Sequence, residues 1–203
     1  MNEKLKIEFC KTLIKIGAIK FGVFTLTSGK LSPYYIDLRL IPSFPDAFQL
    51  VMRIYEEIAL KEIKLDKFDI IAGIPTAGMP FASVLSYKLK KPFVYVRKDV
   101  KTHGRERRVE GILSPGSKVL IVDDLITTGK STLDAVNSII AEGGNVEDVL
   151  VLIDRQEGGR SNLKKAKIEL HNFIKVSEIA EILLETNAIG EEKYKEVINQ
   201  CLE

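Results

Sequence analysis

Two aspartates, Asp123 and Asp124, end the apolar run in "KVLIVDDLITTGKS" (118–131), and Thr127, Thr128, Gly129, Lys130 and Ser131 follow at once. An ionised carboxylate only accepts hydrogen bonds, so an adjacent pair suits the neighbouring hydroxyls of a sugar. A polar turn that opens a helix suits an anion, because first-turn amides lack acceptors within the helix and the helix dipole favours negative charge. Side by side, the two features point to ribose 5-phosphate. Taken alone, an Asp-Asp pair is more often a helix cap or a solvated turn. A nucleotide P-loop is the nearest rival for Gly129-Lys130-Ser131, but its first glycine would fall at Asp124, so that pattern fails.

A second candidate is "RKDVKTHGRERR" (97–108), with six lysines and arginines against Asp99 and Glu106, and His103 among them. Such a run is either a solvated surface or an anion patch. Arg155, just past "VLVLID", carries a planar guanidinium that can grip a carboxylate or an imide oxygen with two bonds. It could equally cap the strand end or pair with Glu157. Cys10 and Cys201 lie at opposite ends of the chain without metal-ligand spacing and read as buried thiols.

The elements that must hold these residues are legible from periodicity. "FDIIAG", "PFVYVR", "KVLIVDD" and "VLVLIDR" are short continuous apolar runs, with helical patterns between the first and second and between the third and fourth. That alternation predicts a parallel sheet buried on both faces, and ligands of such sheets bind at the carboxyl ends of the strands, where Asp123 and Asp124 stand. The link from "PFVYVR" to "KVLIVDD" reads as a polar loop. Upstream, Leu5, Phe9, Leu13 and Ile16 predict a helix that stops near Gly17. "FGVFTLTSGKLSPYYIDLRL" predicts two strands and a turn, a small flap outside the main sheet. Phe48, Val51, Tyr55 and Ile58 mark a helix entered near Pro45, and 176–186 and 191–202 read as closing helices separated by Gly190.

Composition narrows the function classes. The 203 residues suffice for one well-buried domain, 1–203, of which 1–42 supply the first helix and the flap. A net charge of +2 argues against bulk nucleic-acid affinity, and no apolar run approaches the roughly 18 residues of a membrane span. The opening residues mix charge with apolar side chains rather than forming a signal block, so the expected setting is the cytoplasm, with no membrane or nucleic-acid partner. Glutamine is confined to Gln49, Gln156 and Gln200, a bias sometimes seen at high growth temperature.

"VLIVDDLITTGKS" resembles the phosphoribosyl-diphosphate (PRPP) signature of the type I phosphoribosyltransferases. "FTLTSGKLSPYYIDLR", "RKDVKTHG" and "DRQEGG" narrow the likeness to the orotate phosphoribosyltransferases, in family order and across nearly the whole chain. The resemblance implies an open parallel sheet flanked by helices with an N-terminal hood, and transfer of ribose 5-phosphate from PRPP to orotate, giving orotidine 5-monophosphate and pyrophosphate. It implies Asp123 and Asp124 on the ribose hydroxyls, and Leu125, Ile126, Thr127, Thr128, Gly129, Lys130 and Ser131 around the 5-phosphate. Arg97, Lys98, Lys101 and His103 would meet pyrophosphate, with Lys101 and His103 acting across a homodimer. Thr127 and Arg155 would meet orotate, as would the Tyr34 and Tyr35 backbone, whose rings could serve as packing. No side chain would bind metal directly, Mg2+ being carried by PRPP.

The match departs from the best-known bacterial form at Thr27 and at Thr76-Ala77 in "GIPTAG", where that form has cations; Lys30 is not assumed to replace them. The sequence leaves two rival functions. A purine or uracil transferase should lack the flap and the "DRQEGG" arginine. A PRPP-sensing regulator needs a basic nucleic-acid element, for which nothing before Phe21 has the length or charge.

Overall fold

A computed structural model describes residues 3–25, 29, 31–97 and 107–202. Helix α1 (Glu3–Lys15) buries Phe9, Cys10 and Leu13, the stripe that the periodicity marks, and the chain turns at Gly17. Strands β1 (Ile19–Thr25) and β2 (Leu31–Ile36) pair antiparallel as a separate two-stranded sheet, the expected flap. Its register shifts between Phe21 and Phe24, as at a β-bulge. Helix α2 (Pro45–Ile58) starts with proline at its first turn, where a missing N–H costs nothing, and continues as a wider turn over Ala59–Ile63.

The main sheet contains β3 (Ile70–Gly73), β4 (Phe93–Val96), β5 (Val109–Glu110), β6 (Val119–Val122), β7 (Leu125–Ile126), β8 (Asp148–Asp154) and β9 (Glu169–Lys175). Among the described residues the order is β5-β4-β3-β6-β8-β9, with β7 pairing the far half of β8 beyond β6. Every pairing is parallel except β4 with β5. Helices α3 (Gly78–Leu89), α4 (Lys130–Ala141), α5 (Gly159–Lys165), α6 (Val176–Glu185) and α7 (Glu191–Leu202) complete the chain. The described part of the link expected to be a polar loop contributes β5, an edge strand; its residues 98–106 lie outside the described set.

Alternation along the strands divides the core in two. Leu120, Val122, Leu150 and Leu152 face α1, α2, α3 and α6, whereas Val119, Ile121, Val149 and Val151 face α4 and α5. Each strand therefore buries both faces, which is why its sequence reads as a continuous apolar run rather than an alternating one. At roughly 1.5–3 kcal/mol per fully buried aliphatic side chain, this double burial holds the strand ends that carry the polar residues.

Candidate active site

The acidic pair sits inside the sheet's own ladder. Val122 faces Leu150 and Leu125 faces Ile153, so register runs straight through Asp123 and Asp124. The Asp123 amide donates to the Leu150 carbonyl at 3.0 Å, and the Asp124 carbonyl accepts from the Leu152 amide at 3.0 Å. With the main chain committed to β8, the carboxylates project from the strand end. Both are buried, at 7% and 9% exposure. The Tyr55 hydroxyl donates to the Asp123 carbonyl at 2.6 Å, and the Asp124 amide donates to Asp123 Oδ1 at 2.9 Å. Gly78 packs so closely that a Cβ there would meet Asp123 Oδ1 at 2.6 Å. Burial pushes the Asp124 carboxyl above its ordinary range, while hydrogen bonds with Asp123 and the Leu125 amide pull it partly back and Arg39 adds a weaker downward pull.

Beyond Ile126 the chain turns through Gly129, whose φ of 78° is left-handed, into α4. Lys130 and Ser131 thus occupy the first helical turn, where amides point outward. This turn is braced from below by a residue pair that sequence reasoning missed. The Gly159 amide donates to the Thr127 carbonyl at 2.8 Å, and Asn162 Nδ2 donates to the Thr128 carbonyl at 3.0 Å. Leu125 and Ile126, expected around the 5-phosphate, form β7, and the Ile126 side chain belongs to the core.

A cleft of about 420 Å³ opens at the carboxyl ends of β3, β4 and β7 and the start of α4, lined by Pro75, Arg97, Arg108, Thr127, Thr128 and Ser131 among others. It gathers the candidates Arg97, Thr127, Thr128, Lys130 and Ser131 in one place; Asp123, Asp124 and Arg155 are not among its lining residues. Arg97 bonds Glu110 at 3.2 Å, and its carbonyl accepts from the Arg108 guanidinium at 3.0 Å, so β4 and β5 hold the two ends of the basic segment at the cleft. Lys98, Lys101 and His103, like Thr27 and Lys30, lie outside the described residues. A hollow of about 450 Å³ lined by Glu62, Lys67, Lys164 and His171 lies at the opposite ends of β8 and β9, where parallel sheets do not place their ligands.

Arg155 follows β8, and its amide donates to the Ile126 carbonyl at 3.0 Å, which anchors it one residue from Thr127. Its guanidinium is buried, 2.8 Å from Glu157 Oε1 and 4.8 Å above the Tyr34 ring. The pairing with Glu157 is therefore present, and Tyr34 covers the cation. Burial lifts the Tyr34 hydroxyl to about 12 despite the pull of Arg155. The neighbouring Tyr35 hydroxyl accepts from Arg39 at 3.1 Å.

An acidic strand end beside a helix-opening turn, on a parallel sheet with a basic edge, defines a class before any particular enzyme. The model of the phosphoribosyl transferase domain family matches residues 43–181, and the chain belongs to the phosphoribosyltransferase family. The chain is 42% identical over 190 residues to the orotate phosphoribosyltransferase of Pyrobaculum aerophilum, covering 93% of this chain and 95% of that protein. The crystal structure of orotate phosphoribosyltransferase from Aeropyrum pernix superposes with a TM-score of 0.79 at 32% identity, over 90% of this chain and 99% of that one. Leishmania donovani UMP synthase superposes with a TM-score of 0.85 at 32% identity, over 97% of this chain but 42% of that longer one. Within the family the chain falls among the orotate phosphoribosyltransferases.

Proposed function

We propose that the chain transfers ribose 5-phosphate from PRPP to orotate, releasing pyrophosphate, with the residues above in stated roles. Asp123 and Asp124 accept hydrogen bonds from the ribose hydroxyls, and the amides and hydroxyls from Thr127 to Ser131 clasp the 5-phosphate. The observation that carries this reading is their juxtaposition: two buried carboxylates end β6, and the braced turn into α4 begins three residues later. As the bond from C1 to pyrophosphate breaks, positive charge grows on the ribose ring. Buried carboxylates stabilise that charge more than they stabilise the neutral ground state, which lowers the barrier.

Arg97, with Lys98, Lys101 and His103 on the adjoining segment, supplies donors whose bonds to pyrophosphate strengthen as it leaves, and closure of that segment excludes water. We place Lys101 and His103 in the site of a neighbouring copy, so that the working unit is a homodimer in the cytoplasm. Mg2+ would be held by pyrophosphate oxygens and water. Mg2+ carried by substrate phosphates keeps much of its water and asks for few protein carboxylates, so this reading requires no side chain of the chain to hold it. When bound, the ion offsets the charge of the leaving group. Arg155 and Thr127 face orotate, the guanidinium exchanging its contact with Glu157 for the base.

Mixing the protein with PRPP, Mg2+ and orotate should deplete orotate absorbance with stoichiometric release of pyrophosphate. Consumption of hypoxanthine or uracil in place of orotate would overturn the base assignment. PRPP binding without turnover of any base would overturn the enzymatic reading.

A further inference from the structure

The C-terminal helix reaches the base end of the site. Gln200, in the last turn of α7, is 7% exposed and faces the flap strand β2, where its Oε1 lies 3.0 Å from Ser32 Oγ. Ser32 Oγ also lies 2.7 Å from the Tyr34 carbonyl. A serine hydroxyl has one proton, and the shorter contact takes it. The Gln200 amide then serves Ser32 best by turning its N–H toward Oγ. Whichever way the amide faces, one of its two polar atoms is left without a partner.

That atom has company. The buried side-chain polar atoms without a hydrogen-bond partner among the described residues are the Tyr34 hydroxyl, Arg155 Nε and Nη2, Glu157 Oε1 and, with its Oε1 toward Ser32, Gln200 Nε2. All belong to one neighbourhood: Arg155 contacts both Tyr34 and Glu157, Gln200 is tied to β2 through Ser32, and Cys201 next to it lies within electrostatic reach of Arg155 and Glu157. The short approach of Arg155 to Glu157 is a charge contact without a well-aligned N–H. Unpaired buried polar atoms are costly, and their concentration in one place marks a surface built for a polar ligand rather than for packing.

We propose that Gln200 is a positioning residue for the pyrimidine substrate: through Ser32 it fixes the main chain of β2 at Tyr34, and so the distance between that strand and Arg155. This rests on the reading that orotate sits beside Arg155. A planar base carrying a carboxylate needs the strand and the guanidinium at a set separation, and α7 is the element that holds it. In this reading PRPP is held by the end of β6 and the turn into α4, whereas α7 packs on α6 and β2.

The test is steady-state kinetics of the full-length enzyme. Gln200→Met keeps side-chain length and removes both amide groups, so it should raise the KM for orotate about threefold to tenfold, the worth of one hydrogen bond. The KM for PRPP should stay unchanged. Ser32→Ala should do the same, and the double variant should be no worse than either single one, because both cut one link. Should Gln200→Met fail to fold, Ser32→Ala alone carries the prediction. An unchanged orotate KM, an equal rise in both KM values, or additive effects would overturn the proposal. If Arg155→Lys also leaves the orotate KM unmoved, the base assignment itself falls; if Arg155→Lys raises it and Gln200→Met does not, only the role of Gln200 falls.

Discussion

A single methyl group added at Gly159 would reach the phosphate turn from behind. A Cβ there would lie 2.5 Å from the Thr127 carbonyl oxygen and 2.7 Å from Ile126 Cγ1. Carbon and a carbonyl oxygen approach no closer than about 3.3 Å even in favourable contacts, so α5 and the turn must separate by about 0.8 Å. The hydrogen bond from the Gly159 amide to that same oxygen, now 2.8 Å, would stretch to about 3.6 Å and be lost. Overpacking of this kind costs about 1–3 kcal/mol, or a fall of about 2–12 °C in Tm for a domain of this size. Catalysis should suffer more, because a displacement near 1 Å in a substrate-positioning element can cost about 100-fold in rate. Gly159→Ala should therefore lower kcat/KM for PRPP by about two orders of magnitude while the protein remains folded. Gly190→Ala, with open space around its Cβ, is the control and should change nothing. Wild-type kinetics for PRPP in Gly159→Ala, with a normal melting curve, would refute the claim that α5 braces the turn.

Other perturbations separate stability from function. Asp124→Asn should abolish turnover yet raise Tm at neutral pH, since burial makes the ionised carboxyl unfavourable in the folded protein. The sign follows from linkage: the folded-state pKa is raised, so the penalty is absent below the ordinary aspartate range and fully present once pH passes the folded value, and the variant should flatten that decline in thermal scans against pH. Tyr55→Phe leaves the Asp123 carbonyl without its 2.6 Å donor and should cost about 1–3 kcal/mol in denaturant melts, with reduced turnover because Asp123 is less firmly held. Lys101→Ala should lower kcat severely with no change in Tm, which paired kinetic and calorimetric measurements would check.

The candidate residues that share one stretch of chain are legible because local sequence carries their chemistry. Asp123 and Asp124 announce themselves by interrupting an apolar run, and Thr127 to Ser131 by their small polar types before a helix. The supports were not legible, because each is a contact between distant segments: Tyr55 reaches Asp123 across 68 positions, and Ser32 meets Gln200 across 168. Helix α5, Gly159–Lys165, is too short and too polar for its periodicity to register, with Leu163 its one buried apolar side chain beyond the glycine. Strand β7 escaped for a related reason. Its two residues gain their structure from β8 rather than from any pattern of their own. The pairing of Arg155 with Glu157 is one of several that residue types allow, and it becomes visible only in the folded chain, as a 2.8 Å approach.

The account stands most directly on where the pentose lies. In a crystal of the protein grown with PRPP and Mg2+, the ribose hydroxyls should lie within hydrogen-bond distance of the Asp123 and Asp124 carboxylates, and the 5-phosphate should be ringed by amides between Thr127 and Ser131. A pentose bound in the hollow beside His171, or one in the cleft with its phosphate turned away from that turn, would contradict it.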